Sequence, residues 1–83
     1  MNGLTKGAAR RHLNPRKLLH SKWTARRPQQ REKHFLVTRL IVDEVQPEAP
    51  PEQVIIEAVY SGREQLIHWR ALLDESVWQQ GWR

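Results

Sequence analysis

The sequence has 83 residues, with 14 lysines and arginines, 9 acidic residues, no cysteine and a formal net charge of +5. A chain of this length buries about 64% of its surface on folding, so we expect one domain with one small core. The lack of cysteine excludes disulfides and thiolate-bound metals. Apolar runs such as Leu40–Val42 are too short to span a bilayer, and the start of the chain lacks the apolar stretch of an export signal, so a cytoplasmic protein without membrane contact is expected.

The charge is divided unevenly along the chain. Residues 1–34 carry ten cations and one anion, or +9, whereas residues 35–83 carry four cations and eight anions, or −4; the two values sum to +5. Such asymmetry indicates a basic element that contacts a polyanion. The alternative is a solvated basic arm that only aids solubility.

The first residues predict little structure, and the domain is expected to begin near Leu13. Residues 1–12 contain almost no apolar side chain, so they are predicted to form a disordered basic tail before a single domain at 13–83. Asn14 is a favourable N-cap, and Pro15 suits the first helical position. Helical turns are therefore predicted over Pro15–His20.

The middle of the chain predicts three strands of an antiparallel meander. Phe35–Val42 is rich in β-branched residues and apolar on both alternating faces. Asp43–Glu52 contains three prolines and four acidic residues, which indicates a loop. Val54–Tyr60 is the next predicted strand, and Ser61-Gly62 is a tight-turn signal before a third strand at Glu64–Trp69.

The predicted fold is a small, mainly β domain. We expect three or four antiparallel strands in a strongly curved sheet that resembles SH3-like or Sm-like small barrels. Asp74 is a candidate N-cap for helical turns over Glu75–Gln80, and Gly81 suits a left-handed residue that would fold Trp82 back towards Val77. The alternative is an open three-stranded meander with one helix on its face.

The small size of the strand region indicates that the basic half packs against it. Phe35–Arg83 is only 49 residues long, close to the ~40-residue limit below which unlinked chains rarely fold. The remaining apolar supply is Leu13, Leu18, Leu19 and Trp23. We therefore expect this segment to dock on the sheet and to hold its neighbouring cations in a fixed array.

The sequence offers little for catalysis or metal binding. The four histidines match no zinc spacing, and no serine lies in a nucleophile elbow. No Walker loop or dinucleotide-binding glycine pattern occurs. We therefore expect neither an enzyme nor a cofactor or metal site.

A non-enzymatic nucleic-acid binder, with RNA slightly ahead of DNA, is the leading functional hypothesis. Trp69 and Trp78 are expected in the core. For Trp23 and Trp82 the sequence leaves two alternatives, burial in the core and stacking on nucleic-acid bases. Neutralising about five phosphates would give a slope of log affinity against log salt of about −3.5 to −4.5. The residues expected to bind nucleic acid are Arg16, Lys17, Lys22, Trp23, Arg26, Arg27, Arg31 and Lys33.

The rival hypothesis is a protein-interaction module. Its basic surface would meet an acidic partner, or its open strand edge would accept a partner strand. Pairing of sheet edges into a weak homodimer is a further possibility beside a monomer.

Six stretches of the sequence carry a resemblance to known proteins: Leu13–Thr24, Glu32–Thr38, Glu57–Ser61, Trp69-Arg70, Ser76–Trp78 and Gln80–Trp82. Together they resemble a family of small bacterial tryptophan-rich proteins of unknown function. The resemblance implies a bacterial, cytoplasmic setting and a domain from Leu13 to Trp82, but no activity, cofactor or catalytic residue.

Overall fold

The computed structural model describes residues 11–83, so nearly all of the predicted tail at 1–12 lies outside the described residues. Five strands and two short 3-10 turns make up the regular structure. The strands are β1 (Lys22–Gln29), β2 (Glu32–Ile41), β3 (Gln53–Ala58), β4 (Glu64–His68) and β5 (Trp78–Gln80), and the 3-10 turns are Pro15–Lys17 and Trp69–Leu73.

The strands form one antiparallel sheet in the order β4-β3-β2-β1-β5. The predicted mainly β class and the β2-β3-β4 meander are confirmed. The sheet has five strands instead of three or four, because β1 and β5 extend the meander on the β2 side. It is open, with β4 and β5 as its two edges, and is not closed into a barrel.

The helical turns predicted over Glu75–Gln80 are present only as one hydrogen-bonded turn, in which the Asp74 carbonyl accepts from the backbone N–H of Val77 at 3.1 Å and of Trp78 at 2.9 Å. Trp78–Gln80 forms β5, which pairs with β1 and satisfies backbone groups at that edge. The Asp74 carboxylate accepts hydrogen bonds from the backbone N–H of Ser76 (3.0 Å) and from its hydroxyl (2.6 Å). This is an Asx turn that leads into a strand, and it uses the same local chemistry as a helix cap.

The predicted cap at the first helical turn is confirmed, but the turn is shorter than expected. The Asn14 side chain accepts a hydrogen bond from the backbone N–H of Arg16 at 3.0 Å, and Pro15 occupies the first position. The 3-10 turn ends at Lys17, and His20 is left-handed with φ of 69°. Its backbone N–H then donates to the Val37 carbonyl at 2.8 Å, which brings the segment onto β2.

The polar residues from Arg26 to Lys33 form the turn end of a β-hairpin between β1 and β2. The sequence did not indicate this hairpin. Gln30 and Arg31 link β1 to β2 with φ of 54° and 65°, a left-handed pair typical of a two-residue hairpin turn. The β1–β2 register is irregular between Thr24 and Gln29. Pro28 lies in this irregular stretch, where its missing N–H removes no ladder hydrogen bond.

The core lies on one face of the sheet and includes the docked N-terminal segment. Trp23 is 1% exposed and Leu18 is 4% exposed, whereas Leu19 remains 44% exposed. The predicted docking is therefore confirmed for Leu18 and Trp23, and Leu13 and Trp69 are partly buried against the same core. The buried apolar residues are Leu18, Trp23, Phe35, Val37, Val54, Ile56, Ala58 and Leu72.

Arg11 extends this docked segment and bonds it to the C-terminal part of the chain. Its side chain is only 10% exposed. Its two terminal nitrogens donate to the carbonyls of Leu72 and Trp78, each at 2.8 Å, and its guanidinium carbon lies 5.4 Å from the centroid of the Trp23 ring. The docked segment thus includes Arg11, two residues before the predicted start of the domain at Leu13.

Adjacent leucines provide a matched test of the docked segment. Leu18→Ala should lower the free energy of unfolding by about 2–5 kcal/mol, because it leaves a cavity between the segment and the sheet. Leu19→Ala should change it by less than about 0.5 kcal/mol, since that side chain is half-exposed. Urea denaturation followed by tryptophan fluorescence measures both, and equal effects would contradict the packing described.

Candidate functional site

The burial of Trp23 directs its strand neighbours to the opposite face of the sheet. Successive side chains of a strand alternate between faces, so Lys22 and Thr24 lie on the face away from the core. Thr24 pairs with His34 on one side and with Gln79 on the other. The consecutive strands β1 and β2 and the distant strand β5 therefore contribute to one surface.

Trp82 lies on this surface and is 43% exposed. Its indole Nε1–H donates to the Phe35 carbonyl at 2.9 Å, and its ring centroid is 5.9 Å from that of His34. Lys22 Nζ lies 4.8 Å from the centroid of the Trp82 ring, within the range of a cation–π contact. The indole is thus held against the sheet by its N–H while part of the ring remains accessible.

The direction predicted for Trp82 is wrong, although Gly81 is left-handed as expected, with φ of 80°. The Gly81 N–H donates to the Lys22 carbonyl at 2.8 Å, which continues the β5–β1 pairing. Trp82 therefore reaches across β1 to β2 and does not fold back towards Val77.

A separate cleft of about 330 Å³ is lined by three cations, Arg26, Lys33 and Arg83, the last of which follows Trp82 in the chain. No acidic side chain lines it within residues 11–83. The remaining lining residues are Thr24, Ala25, Pro28 and Gln79.

Both arginines of the cleft are positioned by backbone carbonyls. Arg26 Nε donates to the Glu75 carbonyl at 2.6 Å, and Arg83 Nε donates to the Gln80 carbonyl at 3.1 Å. The Arg83 backbone N–H also donates to Thr24 Oγ1 at 2.9 Å. Neither guanidinium forms an ion pair with a carboxylate in the described part of the chain. Their terminal nitrogens can therefore bind an added anion without first breaking a salt bridge.

The structure brings together only some of the residues expected to bind nucleic acid. Lys22 lies against Trp82, and Arg26 and Lys33 line the cleft. Trp23 is buried, so the hypothesis that its ring stacks on a base is wrong. Its large apolar area is used in the core instead.

The other predicted cations lie apart from the cleft. Arg16 belongs to the first 3-10 turn with Lys17, and its guanidinium donates to the Glu48 carbonyl in the β2–β3 loop. Arg31 belongs to the β1–β2 turn and donates to the Tyr60 hydroxyl at 3.3 Å. Arg16 and Arg31 are therefore near opposite ends of β2, whose ten residues span about 33 Å. Arg27 lines a different pocket, with Ala25, Ser76 and Val77.

The sequence did not indicate Arg83 or Gln79 as site residues, and it left Trp82 between burial and stacking on bases. They lie at the far end of the chain from Lys22, and only the β1–β5 pairing brings them together. The Gly81-Trp82 pair was the one local signal, since a left-handed glycine there turns the last residues back over the sheet.

Glu32, the one anion of the basic half, is buried and neutralised by its own partners. Its carboxylate accepts hydrogen bonds from Arg63 Nε at 3.0 and 3.2 Å, from Arg63 Nη2 at 2.5 Å and from the Ser61 hydroxyl at 2.6 Å. The hydrogen bonds from Arg63, followed by the one from Ser61, lower the pKa of Glu32 to about 2, against the opposing effect of burial. The same contacts raise the pKa of Arg63. Glu32 is thus paired away from the cleft cations.

Two kinds of feature are absent from residues 11–83. No group of three or more histidine or acidic side chains is arranged to hold a metal ion. No helix in this range is long and apolar enough to cross a membrane.

The fold and the tryptophan positions define a small, mainly β, tryptophan-rich domain. The chain belongs to the family described as "Tryptophan-rich protein (DUF2389)", a domain of unknown function whose family model matches residues 21–83. The resemblance noted from the sequence is thereby confirmed. No curated protein and no solved structure matches the chain.

The Glu32 network predicts a defined pH dependence of stability. The folded-state pKa of Glu32, about 2, is below its ordinary value of 4.5. The ionised carboxylate therefore stabilises the fold fully above about pH 5. This contribution is lost as the pH falls from 4.5 towards 2. Glu32→Gln should lower the melting temperature at pH 7 and flatten its decline over this acid range.

Glu44→Gln is the matched control, since Glu44 is exposed in the β2–β3 loop. It should keep the melting temperature at pH 7 and the acid decline of the unaltered protein. Melting curves from pH 7 to pH 2 by circular dichroism make the comparison. An acid decline as steep in Glu32→Gln as in Glu44→Gln would show that the network does not contribute.

Proposed function

We propose that this protein is a non-enzymatic binder of single-stranded nucleic acid, with RNA preferred over DNA. The binding region is the basic surface, defined as Lys22, Arg26, Lys33, Trp82 and Arg83. One observation supports it above the others: the charged lining of the cleft is entirely cationic, and one of its arginines, Arg83, directly follows the half-exposed Trp82.

The arrangement suits a strand whose bases are unstacked. Lysine and arginine neutralise phosphates, and an accessible aromatic ring stacks on a base. Such a combination tracks the backbone and tolerates many sequences, because phosphate contacts carry no base information and every base has a π-face. Weak sequence specificity follows.

Two features of the cleft and of the neighbouring sheet face favour RNA. Gln79 lines it and carries both a donor and an acceptor, which matches the 2′-hydroxyl of ribose. The indole of Trp82 is accessible on an open face of the sheet. An unstacked base from an RNA loop or a free RNA end can contact it there.

The charge of the cleft should appear in the salt dependence of binding. With four cations contacting a single strand, log affinity should fall against log salt with a slope of about −3. A variant carrying Arg26→Gln, Lys33→Gln and Arg83→Gln should bind more weakly and reduce the slope to about −1. Fluorescence anisotropy with a short labelled single-stranded RNA measures both quantities.

The control removes two cations at the other end of the molecule. A variant with Arg16→Gln and Lys17→Gln should retain most of the slope, since these residues lie at the first 3-10 turn. A flat salt response of the unaltered protein, or a larger loss from the Arg16/Lys17 variant, would overturn the proposed surface. Capture of an acidic protein after nuclease treatment, with no RNA binding, would favour the protein-interaction hypothesis instead.

Trp82 should contribute affinity without changing the salt slope. Trp82→Ala removes a stacking contact of about 1–3 kcal/mol, so the dissociation constant should rise roughly 5- to 150-fold. Stacking releases no counterions, and the slope should therefore stay at the value of the unaltered protein. The same anisotropy titrations give both values. Unchanged affinity would exclude Trp82 from the binding surface.

A further inference from the structure

The two edges of the sheet differ in how their backbone groups are used. The Ala58 N–H donates to the Arg63 carbonyl at 2.9 Å, and the Trp69 N–H donates to the Glu52 carbonyl at 3.0 Å. The unbroken β3–β4 register between these bonds makes Gln65 and Ile67 hydrogen-bonded partners of β3 as well. The alternate residues of β4 therefore direct their N–H and C=O groups to the open side. These residues are Glu64, Leu66 and His68.

The β5 edge is largely satisfied within the chain. The Trp78 N–H donates to the Asp74 carbonyl at 2.9 Å, and the Trp78 carbonyl accepts from Arg11 at 2.8 Å. The Gln80 carbonyl accepts from Arg83 at 3.1 Å. A partner strand would have to displace these bonds. Within residues 11–83, β4 is thus the edge better suited to accept another strand.

We propose that two copies of this chain pair through β4, antiparallel, about a two-fold axis at Leu66. In this register Leu66 faces Leu66 of the second copy, and Glu64 faces His68. Each of the three outward residues then donates and accepts one backbone hydrogen bond across the interface. A register shifted by one residue would lose this pattern, because the neighbouring residues bond to β3.

The side chains of β4 are complementary in the same register. Glu64, Leu66 and His68 share the exposed face, and Leu66 is 55% exposed. Pairing buries the two leucines against each other and places a carboxylate opposite an imidazole on each side of the axis. His68 Nδ1 accepts from the Arg70 N–H at 3.1 Å, so the proton of a neutral ring is on Nε2 and can be donated to the Glu64 carboxylate.

This pairing does not depend on the proposed function, but it would affect it. A two-fold axis perpendicular to the sheet places the corresponding faces of both copies on the same side. The dimer would then present two basic surfaces to one strand and increase its avidity.

Oligomeric state tests the proposal directly. Sedimentation equilibrium over a range of concentrations should give a mass approaching twice the 9.9 kDa of the chain. Leu66→Lys should give a monomer at the same concentrations, because it places two like charges together at the axis. Val45→Lys, at an 86% exposed loop position, should still dimerise. A monomer at every concentration, or a dimer that survives Leu66→Lys, would overturn the proposal.

Cross-linking provides a second readout that does not require the Leu66→Lys variant to fold. The chain has no cysteine, so a single Leu66→Cys substitution reports only its own contacts. Paired α-carbons at the axis would lie about 5.5 Å apart, within disulfide range. Mild oxidation should give a covalent dimer for Leu66→Cys, while Val45→Cys should remain mostly monomeric. Equal yields from the two variants would contradict pairing at β4.

Discussion

The burial of Trp23 is the interaction on which the rest of the structure depends. The ring lies on β1, the strand between β2 and β5, where it pairs with Phe35 on one side and Gln80 on the other. The guanidinium carbon of Arg11 lies 5.4 Å from the centroid of the Trp23 ring. Because a strand alternates its faces, burying this one residue fixes Lys22 and Thr24 on the opposite face. The same packing that closes the core therefore places Lys22, which contacts the Trp82 ring, on the opposite face.

The second constraint is the attachment of β5, which joins the two ends of the described chain. Arg11 donates to the carbonyls of Leu72 and Trp78, and Thr24 Oγ1 donates to the Gly81 carbonyl at 2.7 Å. These bonds bring the last residues beside β1, where Arg83 completes the cleft and Trp82 covers His34. The cleft exists only when the first strand and the last are paired, so folding and assembly of the site are one event.

Local patterns predicted the parts of the fold that local physics determines. The β-branched runs of β2 and β3 were found, and so were the Asn14-Pro15 cap and the Ser61-Gly62 turn, where Gly62 has φ of 76°. The β5 strand was not predicted, because it has only three residues and the capping signal at Asp74 favours a helix. Its strand conformation depends on pairing with β1, which the sequence pattern does not indicate. The site was only half predicted. Charge counting treats all cations of one segment as a single surface, whereas Arg16 lies on the first 3-10 turn beside Glu48 and Arg27 lines a different pocket from Arg26 and Lys33.

The most direct measurement of this account is a nuclear magnetic resonance titration of the ¹⁵N-labelled protein with a short single-stranded RNA. The account predicts shifts concentrated at the backbone amides of Lys22, Lys33, Gln79 and Arg83 and at the Trp82 indole. The Trp23 indole donates to Ser21 Oγ at 2.8 Å within the core, and its signal should stay in place. Shifts concentrated at Arg16 and Lys17, or none at saturating RNA, would contradict it.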